Sequence, residues 1–179
     1  MKKLILFIMM VSIYSAQTIN FGVNGSIKFS KFNRVGIGEF EQWRNNEMQI
    51  IIYSLNCDWE YVFNKNLAAL AEIGYTFSTQ NDFQGPEIGL YFSSNQLFKF
   101  AYMKAGLLFI WNVPFNTPHN PVMARMFTLA SLSIVKPIYD NIALEVFYQI
   151  PLKSKYVDEK FVTTEFINNL LGFGLRVDI

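Results

Sequence analysis

The chain has 179 residues and a formal net charge of +1 at pH 7; 51% of it is hydrophobic, 17% aromatic and 16% charged. That near-neutral balance lacks the basic footprint of a nucleic-acid binder, and Cys57, the only cysteine, excludes an intramolecular disulfide. The length after a leader, about 160 residues, is one domain's worth.

The leader is read from Lys2 and Lys3, the apolar run Leu4 to Val11, and the small residues Ser15 and Ala16. This is the pattern of a secretory signal over residues 1–16, cleaved before Gln17. The run is about half the ~20 residues a membrane helix needs, and no later segment reaches that length. Residues 17–179 are expected to form one β-barrel, because their apolar residues alternate with small or polar ones in stretches separated by turns. Successive side chains of a strand point to opposite faces, so each stretch has a greasy and a polar side.

Strand one, 17–30, sets Ile19, Phe21, Val23, Ile27 and Phe29 against Asn20, Asn24, Ser26 and Lys28, and a polar connection, Lys31 to Asn46, follows. Strand two, 47–63, sets Ile51, Tyr53, Leu55, Cys57, Trp59 and Tyr61 against Ser54, Asn56, Asp58 and Glu60, then turns at 64–66. Cys57 is read as a small apolar filler. Strand three, 67–78, has Glu72 and Gly74 in its second phase; the link 79–85 ends in the turn signal Gly85-Pro86. Strand four, about 87–93, carries Ile88, Leu90 and Phe92 against Glu87, Gly89 and Tyr91, with a turn expected at Ser94 to Gln96.

Strand five, 97–112, sets Met103, Ala105, Leu107, Phe109 and Trp111 against Tyr102, Lys104, Gly106 and Leu108. Its start is out of phase at Phe98 and Phe100, as a bulge would cause. A proline-rich connection, 113–122, leads to strand six, 123–136, where Phe127 and Leu129 share a face with Ser131 and Ser133. After a turn at 137–141, strand seven places Leu144, Val146 and Tyr148 opposite Glu145, Phe147 and Gln149. A charged loop, Pro151 to Thr164, precedes strand eight, in which Ile167, Asn169, Leu171, Phe173, Leu175, Val177 and Ile179 oppose Asn168, Leu170, Gly172, Gly174, Arg176 and Asp178. Connections alternate long and short, the rhythm of an all-β, eight-stranded antiparallel up-and-down transmembrane β-barrel with both termini on the short-turn, periplasmic side.

Composition decides which face is outside. A water-facing surface carries about a quarter to a third charged positions, whereas the polar phase here is mostly Gly, Ser, Asn, Thr and Ala with about one charge per strand. Those charges, Lys28, Asp58, Glu72, Glu87, Lys104, Glu145 and Arg176, are expected to meet as an interior network, since an eight-stranded lumen is filled by side chains. The apolar phase would then face lipid, with Trp59, Tyr61, Phe63, Tyr75, Phe77, Phe109 and Trp111 as aromatic girdles at its two edges.

On these features, and on the closing segment Asn169 to Ile179, NLLGFGLRVDI, the chain resembles the small eight-stranded outer-membrane barrels, the grouping that includes OmpX and the OmpA membrane domain. The segment is similar to a terminal β-signal, which usually ends in an aromatic residue where Ile179 stands here. The resemblance implies residence in the outer membrane of a Gram-negative-type cell, contact with outer-membrane lipid and a structural or interaction role, with an accessory subunit of a larger complex as one form. A protein partner is expected through the external loops 31–46 and 151–164 or the barrel wall.

Two alternatives stay open. Some barrels of this architecture are lipid A deacylases or acyltransferases using a serine and a histidine at the rim. His119, the one histidine, lies between Pro118 and Pro121, with Ser78 or Thr79 as cross-loop partners. A soluble exported ligand-binding barrel is the other. No catalytic residue is assigned, and no cofactor or metal is expected, because no His or Cys cluster exists. An open pore is not expected from eight strands.

Overall fold

A computed structural model describes residues 18–36, 46–64, 66–78, 84–98, 100–113, 126–158 and 163–179. Alternating sequence becomes strand throughout: β1 (Thr18–Gly36), β2 (Asn46–Asn64), β3 (Leu67–Ser78), β4 (Gly85–Phe98), β5 (Ala101–Trp111), β6 (Met126–Tyr139), β7 (Ile142–Pro151), β8 (Lys155–Asp158), β9 (Thr163–Ile167) and β10 (Leu170–Asp178). Every pairing is antiparallel, β1 to β7 each lying beside the next in sequence, and β10 pairs with β7 and with β1 to close the wall.

The ten segments make eight staves, because β7 and β8 share one stave and β9 and β10 share another. β8 pairs with β9 just as β7 pairs with β10, and β1 receives both β9 and β10 along its length. Where β9 passes into β10, Asn168 N donates to Lys31 O at 2.9 Å, and Ser30 Oγ donates to the Asn168 and Asn169 carbonyls at 3.0 and 3.2 Å. The extra residue of this bulge thus keeps its backbone satisfied.

Register fixes the barrel's proportions. Following paired residues from Thr18 through Val62, Ala68, Ser93, Lys104, Ser133, Phe147 and Gly172 returns to β1 at Lys28, ten residues beyond the start. With a strand spacing of ~4.8 Å and a rise of ~3.3 Å, that stagger tilts eight staves by about 40° and sets a backbone radius of about 8 Å. Side chains from opposite walls meet across such a width.

Several boundaries differ from the sequence expectation. Lys31–Gly36 and Asn46 belong to strands, because β1 here gains partners on both sides, β2 and β9. Likewise Lys155–Asp158 of the expected loop 151–164 is strand, paired to Thr164–Phe166. The expected turn at Ser94–Gln96 is strand as well: β4 runs to Phe98 with its register shifting between Ser94 and Phe98, and the chain reverses before Ala101. Pro137, expected in a turn, lies in β6 beside a register shift, the setting in which a strand tolerates a residue without an N–H.

The outer surface is apolar along the length of the wall: Leu55, Leu90, Phe92, Phe173 and Leu175 are all exposed, and Leu55 is 60% exposed. The inner face buries Lys28, Asp58, Glu72, Glu87, Lys104, Glu145 and Arg176. A surface inverted in this way suits lipid outside and makes the barrel a transmembrane one.

Candidate functional site

The lumen is built in three tiers. Nearest the short turns, Arg176 on β10 gathers the acids around it. Its Nη2 lies 3.0 Å from Asp58 Oδ1 and 3.5 Å from Glu60 Oε2, its Nε 2.8 Å from Asp178 Oδ1, and its Nη1 donates to the Tyr102 hydroxyl at 3.5 Å. Asn20 adds a hydrogen bond to Glu60 at 3.3 Å. A polar recess of about 320 Å³ opens at this mouth, bordered by Asn20, Glu60, Tyr102, Tyr139, Arg176 and Asp178.

The middle tier joins five staves. Lys104 Nζ on β5 lies 2.8 Å from Glu72 Oε1 on β3 and 2.8 Å from Glu145 Oε1 on β7, and sits 4.5 Å from the centre of the Tyr91 ring. Lys28 Nζ on β1 donates to Glu87 Oε2 on β4 at 2.9 Å. Asn24 Nδ2 reaches Glu145 Oε2 at 3.3 Å. Room for the Tyr91 ring comes from a missing side chain, since a Cβ on Gly89 would stand 2.3 Å from it. Gly172 does the same for the Phe147 ring, at 2.2 Å. The space that remains is about 10 Å³, roughly what one water molecule requires.

The third tier, toward the long connections, is apolar: Ile50, Ile52, Leu108, Ile110, Phe127, Leu129, Ile167 and Leu170 pack together. The sequence pattern places Leu108, Phe127, Leu129 and Leu170 in the polar phase and passes over Ile50 and Ile52; it sets Ile167 outward, whereas Ile167 is buried here because the bulge between β9 and β10 reverses the alternation. The available signal was positional. Each departs from polarity at the end of its strand beside a long connection, so tilted staves bring them to one height. Burying each side chain is worth about 1.5–3 kcal/mol, so this plug and the ion pairs below it hold the lumen together by different means.

The seven inward charges fall into three sets of contacts: Lys28 with Glu87, Lys104 with Glu72 and Glu145, and Arg176 with Asp58. The expected girdle residues lie on the outward phase: Tyr75, Phe77, Trp59 and Trp111 are exposed, while Tyr61, Phe63 and Phe109 are partly so. Tyr61 and Phe63 pack edge to face near the short-turn end, with ring centres 5.0 Å apart. Cys57 is exposed on the same outer face. A polar outlier there, Asn169, donates its amide to the Tyr148 hydroxyl, which removes one bare donor from the lipid-facing surface.

Residues 1–16, Thr79 and His119 lie outside the described residues; Ser78 ends β3. Among the described residues, no group of three or more His, Cys, Asp or Glu side chains is placed to hold a metal ion.

No family model and no curated protein matches the chain. Solved outer-membrane barrels are similar to it in outline. Neisserial surface protein A is 13% identical, with 91% of this chain and 100% of that one aligned at a TM-score of 0.48. OprG of Pseudomonas aeruginosa is 8% identical, with 90% and 97% aligned at 0.49. Ail of Yersinia pestis is 13% identical, with 87% and 97% aligned at 0.43. The eight-stave assignment rests on this chain's own register and closure.

Proposed function

We propose that this protein is an integral outer-membrane barrel that serves as a structural and interaction element, without conducting solutes and without catalysis. The observation that carries the reading is the inverted surface: aliphatic and aromatic side chains outside, paired ions and an apolar plug inside. Buried ion pairs linking seven of the eight staves resist separation of the wall, and a lumen packed this closely leaves solutes no continuous path. Trp59, Tyr61 and Phe63 at one edge and Tyr75, Phe77, Phe109 and Trp111 at the other serve as interfacial girdles. Residues 1–16 are removed on export, the termini face the periplasm and the long connections face outward.

Recognition then falls to the connections, since a rigid wall leaves variation to its loops. Segments 31–46 and 151–164 are the docking elements for a protein partner, their strand portions extending the wall beyond the bilayer as a stiff stem. The test is twofold. Purified barrel added to planar bilayers should give no stepwise conductance, and mild detergent extraction should recover the barrel with a stable partner that is lost when 37–45 is replaced by a short glycine-serine turn. Single-channel steps, or recovery only as a free monomer, would overturn the reading.

A further inference from the structure

The outer wall changes character at one place along its edge beside the long connections. On β3, β5, β6 and β7 that edge carries Phe77, Trp111, Met126 and Ile150, all exposed. On β2, β1 and β10 the corresponding outward positions are Gln49, Lys31 and Asn169, which are exposed as well. Backbone pairing makes these three neighbours. Lys31 stands opposite Gln49, and on its other side runs Asn168–Asn169, where Asn168 N donates to Lys31 O at 2.9 Å. One pair nearer the middle of the wall, Phe29 lies between Ile51 and Leu171.

A groove of about 580 Å³ opens outward between this polar rim and its apolar floor. Its origin is the bulge. From Phe29 to Phe32, β1 advances three residues, while its partner covers four, from Leu171 back to Ile167. The extra residue turns Ile167 inward, where it is 1% exposed, and the wall loses an aliphatic side chain that strict alternation would have set outside. Asn169 borders the gap instead. Its amide donates to the Tyr148 hydroxyl, so the phenol's own hydrogen can serve an acceptor in the groove.

Depth matches a headgroup. Two residues of a strand tilted by about 40° rise about 5 Å along the barrel axis, so Lys31 stands that far beyond Phe29. The polar zone of a bilayer adds about 5–8 Å to each side of its hydrocarbon.

We propose that this groove seats one anionic lipid whose headgroup carries phosphate, in the leaflet beside the long connections. The phosphate lies at Lys31, Gln49 and Asn169, and an acyl chain runs along Phe29, Ile51 and Leu171. Lysine supplies the point charge that complements a phosphate, and the amides supply N–H donors. Inorganic phosphate would leave the apolar floor uncovered, which commits the seat to a lipid. The inference rests on the reading above, that the outward face meets the membrane.

The test takes the full-length barrel, extracted in dodecyl maltoside, and titrates it with dioleoyl phosphatidylglycerol, bound lipid being counted by native mass spectrometry. One such lipid per barrel should bind about tenfold more tightly than dioleoyl phosphatidylcholine, the margin of a charge-assisted hydrogen bond. Lys31→Gln should erase that preference, and Asn169→Ala should weaken binding several-fold. Lys136→Gln, which removes an exposed outward lysine near the short turns, should change nothing. Excess inorganic phosphate should not displace the lipid. Equal affinity for the two lipids, displacement by inorganic phosphate, or equal losses in the two lysine variants would each overturn the seat. So would a protein partner held by the wild type and lost in Lys31→Gln, which would make the groove a protein interface. A chain that stays soluble without detergent and binds neither lipid would overturn the membrane reading itself, and the seat with it.

Discussion

Replacing Lys104 by Met tests whether the interior charges act as a water-poor network. The substitution keeps an unbranched side chain of similar length but removes the ammonium that lies 2.8 Å from Glu72 and 2.8 Å from Glu145. Those carboxylates come from β3 and β7, on opposite sides of the wall, and each is at least 95% buried. Breaking one buried pair by removing a partner costs about 3–5 kcal/mol, and here a single deletion strands two carboxylates. The contact between the ammonium and the Tyr91 ring, 4.5 Å from its centre, is lost as well, a further ~0.5–2 kcal/mol.

The expected cost is therefore at least about 3 kcal/mol, a fall in the urea midpoint of about 1–3 M for a slope of 1–3 kcal/mol/M. Tryptophan fluorescence of barrel folded into lipid vesicles, with the mobility shift of folded barrel on unheated gels as a second probe, measures it. The triple variant Lys104→Met, Glu72→Gln, Glu145→Gln should recover most of the loss, because neutral groups of similar volume replace a buried ionic cluster without large penalty. A cost under ~1 kcal/mol for Lys104→Met, the worth of a solvated surface pair, would refute the water-poor lumen and with it the argument for a plugged barrel.

Ile73→Arg, in the middle of β3 on the outer face and paired with Cys57 and Ile88, should cost about 2–4 kcal/mol in vesicles; a change below ~0.5 kcal/mol, as on a water-facing surface, would mean that this face does not meet lipid. Cys57, outward and exposed, should resist a water-soluble maleimide in vesicle-embedded barrel and react fully in urea, so fast labelling of the folded protein would contradict the membrane orientation. Phe127→Ala opens the apolar tier where Phe127 is 2% exposed and should lower stability by about 3–5 kcal/mol in the same urea assay. Gly172→Ala should also destabilise, because its Cβ would stand 2.2 Å from the Phe147 ring and 2.9 Å from Ile27 O; the double variant with Phe147→Leu should regain part of the loss.

Strand number, the up-and-down order and the identity of the inward phase were legible from the sequence because each depends on a period of two within a stretch, a local property. Lys28, Glu72 and Arg176 could be placed on one side of their strands for the same reason. Which charge meets which was not legible. That depends on the stagger of ten residues around the wall, accumulated over eight pairings, none of which a single strand encodes.

The same holds for the apolar plug. Ile52, Leu108 and Leu129 look like isolated lapses in separate strands until the tilt carries them to one height. Strand ends were misplaced at Gly36 and Lys155 because these segments are held by backbone pairing, which leaves no signature in side-chain alternation. Local alternation settled which way each side chain points. Only closure of the wall, a long-range constraint on register, decided what each one finds when it gets there.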